Sequence, residues 1–228
     1  MKTIAIIPAR GNSKRLLNKN LLLLGGIPLL AHSILFAQKN RAIIDEIYVT
    51  TNNEAIKNIA LQYGVAVIDR PEAISGDLEP TISCIQHVLE TIPDAVETVV
   101  LLQPTNPLRP ENLLQEAFER FCTNDVDSLI TVSRNHQKLG KIRNSCFESF
   151  NYTIGQRSQD LEPLYFENGL LYISTAKLIR EGTIVSENSF PYEVNHIFTT
   201  VDIDTQEDFD YAAYLYQKFI TDHSHLIL

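Results

Sequence analysis

Through its first half the sequence alternates short, unbroken apolar runs with stretches of helical period, and this alternation restricts the fold more than any other feature. Residues 3–7 form an apolar run closed by Pro8. Residues 28–39 carry Leu29, Leu30, Ile34 and Phe36 at roughly helical spacing, and Pro28 suits a first turn. A β-rich run at 43–51 is followed by a predicted helix over 54–63, where Ile56, Ile59, Ala60 and Tyr63 share a face and Gly64 provides a stop. Runs at 65–68 and 98–102 predict further strands; 80–91 and 111–121 predict helices. Strands that are apolar throughout need cover on both faces, so this order implies a parallel sheet between helical layers. Such sheets bind ligands beyond the carboxyl ends of their strands. The loops after Ile7, Thr51, Ile68 and Leu102 are therefore where chemistry is expected.

The second half is less regular. Residues 128–134 read as β-like, 170–173 and 199–203 as strands, and 208–219 as a closing amphipathic helix. Residues 135–161 are polar, without a sustained period, yet include Phe147, Phe150 and Tyr152. The expectation is an α/β fold: a three-layer αβα sandwich with a mainly parallel sheet, in one domain over 1–228. A small β arm is inserted at about 135–170. Aromatic side chains on a polar arm need a surface to cover them, and a second subunit is one such surface.

Basic residues number 19 and acidic residues 28, a formal charge of −9. That balance opposes nucleic-acid or anionic-membrane binding, but not an anionic substrate held in a basic cleft. Cys84, Cys122 and Cys146 form no CxxC pair and read as free thiols of a reducing, cytoplasmic compartment. The N-terminal apolar run meets Arg10 too early for a signal peptide or a membrane span. The six histidines have no metal-ligand spacing, and of these only His136 lies in the polar middle segment.

The loop after the first run is the strongest chemical signal. It reads Pro8-Ala9-Arg10-Gly11-Asn12-Ser13-Lys14-Arg15, then Asn18-Lys19-Asn20. Glycine and small polar residues let backbone amides approach a phosphate, and Arg10, Lys14, Arg15 and Lys19 add four positive charges. A triphosphate needs both features, because its bond-breaking transition state spreads negative charge over oxygens that cations must hold. The loop is neither GxxxxGK[ST] nor GxGxxG, which disfavours a dinucleotide oxidoreductase. Near the C-terminus, Asp202 and Asp204 lie two apart, on one face if 199–203 is a strand. Hard carboxylate oxygens suit Mg²⁺ completed by substrate phosphates. Helix capping by Asp204 or Thr205 is an equal alternative, with Glu207 and Asp208 in the first turn.

The 8–20 loop resembles the nucleotide-binding signature of the acylneuraminate cytidylyltransferases. Further segments match that family in order and spacing: Gly25-Gly26-Ile27-Pro28-Leu29, Arg70-Pro71 with Asp77 and Thr81, and Leu102-Gln103-Pro104-Thr105-Asn106-Pro107-Leu108-Arg109. Asn168-Gly169 and Val201-Asp202-Ile203-Asp204-Thr205 complete the set, so the resemblance covers nearly the whole chain. It implies a nucleotide-diphospho-sugar transferase-like fold. It also implies transfer of CMP from CTP to an acidic nine-carbon sugar, with Mg²⁺ (Mn²⁺ as a substitute), in a cytoplasmic homodimer that serves cell-surface polysaccharide synthesis. Arg10, Asn12, Ser13, Arg15, Lys19, Asn20, Arg70 and Thr81 would surround the nucleotide. Arg10, Lys19, Asp202 and Asp204 would carry the chemistry, the two aspartates as metal ligands. Gln103, Lys141, Arg157, Asn168 and Gly169 would meet the sugar, with an arm cation on its carboxylate. The sequence departs from the family at Asn12, Asn53 and Ser158, and the last leaves Arg157 one position early. Alternatives are an enzyme acting on the eight-carbon acid Kdo or another sugar, and a nucleotide-binding relative without catalysis.

Overall fold

The computed structural model describes residues 2–11, 13–93 and 95–223. Strands β1 (Thr3–Pro8), β2 (Leu23–Leu24) and β3 (Ile27–Pro28) lead into α1 (Leu29–Lys39). Then come β4 (Glu46–Thr51), α2 (Glu54–Gln62), β5 (Ala66–Asp69), α3 (Thr81–Thr91), β6 (Thr98–Leu101) and α4 (Leu113–Thr123). The remainder comprises β7 (Ser128–Asn135), β8 (Gly140–Arg143), β9 (Cys146–Ser149), β10 (Leu164–Thr175), α5 (Ala176–Arg180), β11 (Phe190–Glu193) and α6 (Gln206–His223).

Seven strands form the central sheet in the order β11-β7-β10-β6-β1-β4-β5. Every neighbouring pair is parallel except the two made by β10, which runs antiparallel to β6 and β7. The alternation of β1 divides the layers. Ala5 and Ile7 pack with Leu30 and Ile34 of α1, Ile56 of α2 and Leu114 of α4. Ile4 and Ile6 pack on the other face with Ile85 and Val88 of α3 and Ile179 of α5. Each fully buried isoleucine or leucine contributes about 1.5–3 kcal/mol, and both faces of β1 are covered. That is why its sequence shows no polar alternation. A third cluster packs α6 through Ala212 and Leu215 against Leu16, Leu24 and Leu29.

Two sequence expectations need correction. Residues 199–203 are not a strand. A 3-10 turn over Ile197–Thr200 takes up the first two of them, and the rest bond to the 105–106 loop: Ile203 N–H donates to the Thr105 carbonyl (2.8 Å) and Asn106 Nδ2 donates to the Val201 carbonyl (2.7 Å). The arm is also shorter than 135–170. It is built on the β8–β9 hairpin and ends before β10, which at 12 residues belongs to the central sheet.

The sheet order reverses between β1 and β6: the chain goes from β1 to β4 and β5, then crosses back to β6 on the other side. Their carboxyl ends therefore open into one crevice.

Candidate active site

Two adjoining clefts lie there. The first, about 550 Å³, is lined by Arg10, Ser13, Lys14, Arg15, Lys19 and Asn20 of the β1 loop, by Arg70, Asp77 and Thr81, and by Gln103 and Asp204. The second, about 380 Å³, is lined by Gln103, Phe166, Glu167, Gly169, Tyr172, Thr200 and Asp202 among others. Gln103 belongs to both.

The first cleft is basic, with Arg10, Lys14, Arg15, Lys19 and Arg70 facing the carboxylates Asp77, Glu79 and Asp204. Two of those carboxylates divide the loop cations. Asp77 pairs with Arg10 (2.9 Å) and Lys14 (2.5 Å), and Asp204 pairs with Arg15 (2.6 Å) and Lys19 (2.8 Å). Lys19 is only 9% exposed, and its Nζ also donates to the Ile203 carbonyl at 2.8 Å. The loop reaches this shape through Gly11: a Cβ there would lie 2.6 Å from Cβ of Asn53, whose side chain caps α2. Asn52 Oδ1 accepts from Gly11 N–H, and Asn20 Nδ2 donates to the Arg10 carbonyl. Arg70 is buried and donates from Nη2 to the Thr50 carbonyl at 2.7 Å; burial pulls its pKa down. Asn12 lies outside the described residues.

The second cleft has a different character. Among the described residues its lining holds two carboxylates, Glu167 and Asp202, and no basic side chain. Desolvation first, and then the Asp204 carboxylate, hold the Asp202 carboxyl above the ordinary carboxylate range, although the residue as a whole is exposed. Desolvation and Glu167 push the Tyr172 phenol up to about 12, so it is a hydrogen-bond donor at neutral pH. Gly169 adopts φ +71°, and a Cβ would lie 2.8 Å from Asn106 Oδ1. Asn168 lines this cleft, but its amide donates inward to Ser133 Oγ (2.9 Å); its carbonyl accepts from Asn106 (3.2 Å). Its side chain thus fixes the irregular stretch of β10 between Glu167 and Tyr172.

The capping alternative holds for Thr205, with Asp208 as its partner, and not for the Asp204 side chain. Thr205 Oγ1 accepts from Asp208 N–H, and Asp208 Oδ2 accepts from the backbone of Asp204 and Thr205. This reciprocal box caps α6 and leaves the Asp204 side chain to the cleft. Among the described residues no three His, Cys, Asp or Glu side chains gather as a self-sufficient metal site. Two carboxylates either side of Gln103 still fit a magnesium ion, which takes one or two carboxylates and fills its shell with phosphate and water oxygens.

Lys141 and Arg157 line neither cleft. Lys141 lies over the Phe150 ring at 5.3 Å, and Arg157 pairs with Asp160 at 2.8 Å. Sequence reasoning did not single out Phe166, Glu167, Tyr172 and Thr200 of the second cleft, nor did it give a role to Arg109, which is buried and donates to the carbonyl of Gln103, the residue common to both clefts. Asp77 stood within a quoted motif, but its ion pairs have no sequence signal.

The chain matches the cytidylyltransferase family over residues 4–225. It belongs to that family. It is 36% identical to the CMP-N,N'-diacetyllegionaminic acid synthase of Legionella pneumophila, over 91% of this chain and 93% of that one. Identity to a pseudaminic acid cytidylyltransferase of Campylobacter jejuni is 31%, over 95% and 97%. Identity to an N-acylneuraminate cytidylyltransferase of Streptococcus agalactiae is 33%, over 92% of this chain but 52% of the relative, so the chain spans about half that protein's length. The fold resembles that of CMP:2-keto-3-deoxy-manno-octonic acid synthetase complexed with CTP: TM-score 0.74, 16% identity, 96% and 99% coverage.

Proposed function

We propose that this cytidylyltransferase joins CMP from CTP to the anomeric hydroxyl of a nonulosonic acid and releases pyrophosphate. The observation that carries the reading is the junction at Gln103 between a cation-lined cleft and a hydroxyl- and carboxylate-lined one. Triphosphate belongs in the first and a polyhydroxylated sugar in the second, with the α-phosphorus between them. The anomeric oxygen forms a bond to that phosphorus as the bond to the β-phosphate oxygen breaks. Arg10, Lys14, Arg15 and Lys19 hold the charge that builds on the leaving pyrophosphate. Asp202 is the carboxylate on the acceptor side and Asp204 the one on the nucleotide side. Together they would hold the magnesium ion, whose chemistry is charge neutralisation on the phosphates. The names of the nonulosonate-specific relatives favour this acceptor class over an octulosonic acid, which enters through a likeness of fold. The test is pyrophosphate release with the four nucleoside triphosphates crossed with N-acetylneuraminate, legionaminate, pseudaminate and Kdo. CTP with one nonulosonate should exceed every other pair; release with CTP and Kdo alone would overturn the reading.

The cytoplasm suits an enzyme whose Cys84, Cys122 and Cys146 are unpaired, and a CMP-activated sugar is a fitting donor for surface polysaccharide. Assembly follows from a mismatch of charge. The acceptor is an acid, yet the second cleft offers it no cation, while the arm carries Lys141 and Arg157 beside exposed Ile142, Phe147 and Phe150. A symmetric homodimer would bury those apolar side chains and bring an arm cation to the partner's acceptor carboxylate. Light scattering should give twice 25.8 kDa. Asp202→Ala and Arg157→Ala chains, each inactive alone, should regain activity when mixed. A fully active single chain would sink the proposal.

A further inference from the structure

The cations of the phosphate loop are divided between two carboxylates, and the reading above accounts for only one. Asp204 belongs to the reacting centre. Asp77 comes from the loop ahead of α3, in which residues 76–80 are all exposed and Leu78 is 97% exposed. Arg10 ties that loop to the phosphate loop twice, since Nη1 donates to the Gly76 carbonyl at 3.0 Å and lies 2.9 Å from Asp77 Oδ1. Lys14 Nζ sits 2.5 Å from the other carboxylate oxygen. All three side chains line the nucleotide cleft. The Lys14 bond holds the Asp77 carboxyl below the usual carboxylate range, so it is an anion at neutral pH.

We propose that Asp77 is a built-in competitor for polyphosphate: its carboxylate occupies Arg10 and Lys14, is displaced when nucleotide phosphates arrive, and returns as pyrophosphate leaves. The physical argument is one of strength. The cation side chains are 37% and 81% exposed, and ion pairs that exposed are weak. A triphosphate brings several charges to the same two cations and the displaced loop has little burial to lose. A carboxylate that must be displaced still lowers affinity for every polyphosphate, product included. The release step rests on the proposed nucleotidyl transfer; the competition itself does not.

Calorimetric titration with inorganic pyrophosphate tests the competition without any sugar. Asp77→Asn should bind pyrophosphate roughly fivefold tighter than the native chain. Asp77→Glu, which keeps the charge, should stay near native affinity. Glu181→Gln removes one surface charge from an i,i+4 pair at the C-terminal end of α5 and should leave affinity unchanged. Unchanged or weaker binding in Asp77→Asn would overturn the proposal in favour of a positioning role for Asp77. Equal tightening in Glu181→Gln would reduce it to net charge. In turnover, pyrophosphate should inhibit Asp77→Asn at correspondingly lower concentration, and an unchanged inhibition constant would overturn the release role. If the native chain binds pyrophosphate but turns over no nucleotide with any acid, the proposed function has failed and the competition stands.

Discussion

Asp204→Ala is expected to lower turnover roughly a thousandfold while costing only a few degrees of melting temperature. The carboxylate joins Arg15 and Lys19 in the first cleft, where the proposed transfer would build charge on the phosphates. Its structural share is small, because Arg15 is exposed and Lys19 keeps the Ile203 carbonyl at 2.8 Å. Thr205→Ala is the converse control. It removes the hydroxyl that accepts from Asp208 N–H, so it should cost about 1 kcal/mol, or about 2–4 °C, with turnover nearly intact. Asp202→Asn adds a sign. The folded state raises the pKa of Asp202, so at neutral pH its charge is disfavoured by the fold and opposes stability. Removing that charge should leave the melting temperature unchanged or raise it, while turnover collapses. If Asp204→Ala loses as much stability as Thr205→Ala but keeps turnover within tenfold, the aspartate is a structural counter-ion and the assigned chemistry is wrong.

What could be read from the sequence is what depends on neighbours in the chain. Buried parallel strands announce themselves because Ile4–Ile7 must be apolar on both faces, and the 8–20 loop gathers its cations within one stretch. The 199–203 segment misled because Thr199, Thr200, Val201 and Ile203 have the β-branched composition of a strand. Its backbone groups instead bond to Thr105 and Asn106, about a hundred residues away. Asn168 misled in another way: its place in a motif at the second cleft was legible, but the inward bond to Ser133 depends on how β10 lies against β7. The arm residues Lys141 and Arg157 carry the right charge for an acid, yet no local signal says that they line neither cleft of their own chain. The wall of the second cleft comes from β10 and the 3-10 turn before Asp202, so Phe166, Tyr172 and Thr200 become neighbours only when the sheet has formed.

Arg109 is the extreme case of such long-range dependence, and replacing it should produce the largest loss of stability of any single change considered. Its guanidinium is buried, and among the described residues it has no carboxylate partner. Nε donates to the Leu170 carbonyl (2.6 Å), Nη1 to Ser33 Oγ (3.0 Å) and Nη2 to the Gln103 carbonyl (2.9 Å), and the group lies 5.5 Å from the Phe36 ring centre. Burial pulls its pKa down to about 9, which still leaves it charged at neutral pH. The three acceptors belong to β10, α1 and the loop after β6, so one side chain ties those three elements together behind Gln103. Arg109→Met keeps the bulk but strands those acceptors, at a cost of about 3 kcal/mol or more. For a chain of this size that is a fall of roughly 6–12 °C. Arg109→Lys should rescue little. One ammonium cannot span three acceptors in a plane, and burial would lower its pKa further. Function should suffer in a particular way, because Gln103 loses its backbone anchor and lines both clefts. At a temperature where the variant is folded, KM for CTP and for the acceptor should rise together, whereas loss of a group that contacts only phosphate would raise KM for CTP alone. A melting temperature within 2 °C of the native chain would show that neighbouring groups or water satisfy those carbonyls, and that the guanidinium is not what holds the two clefts in register.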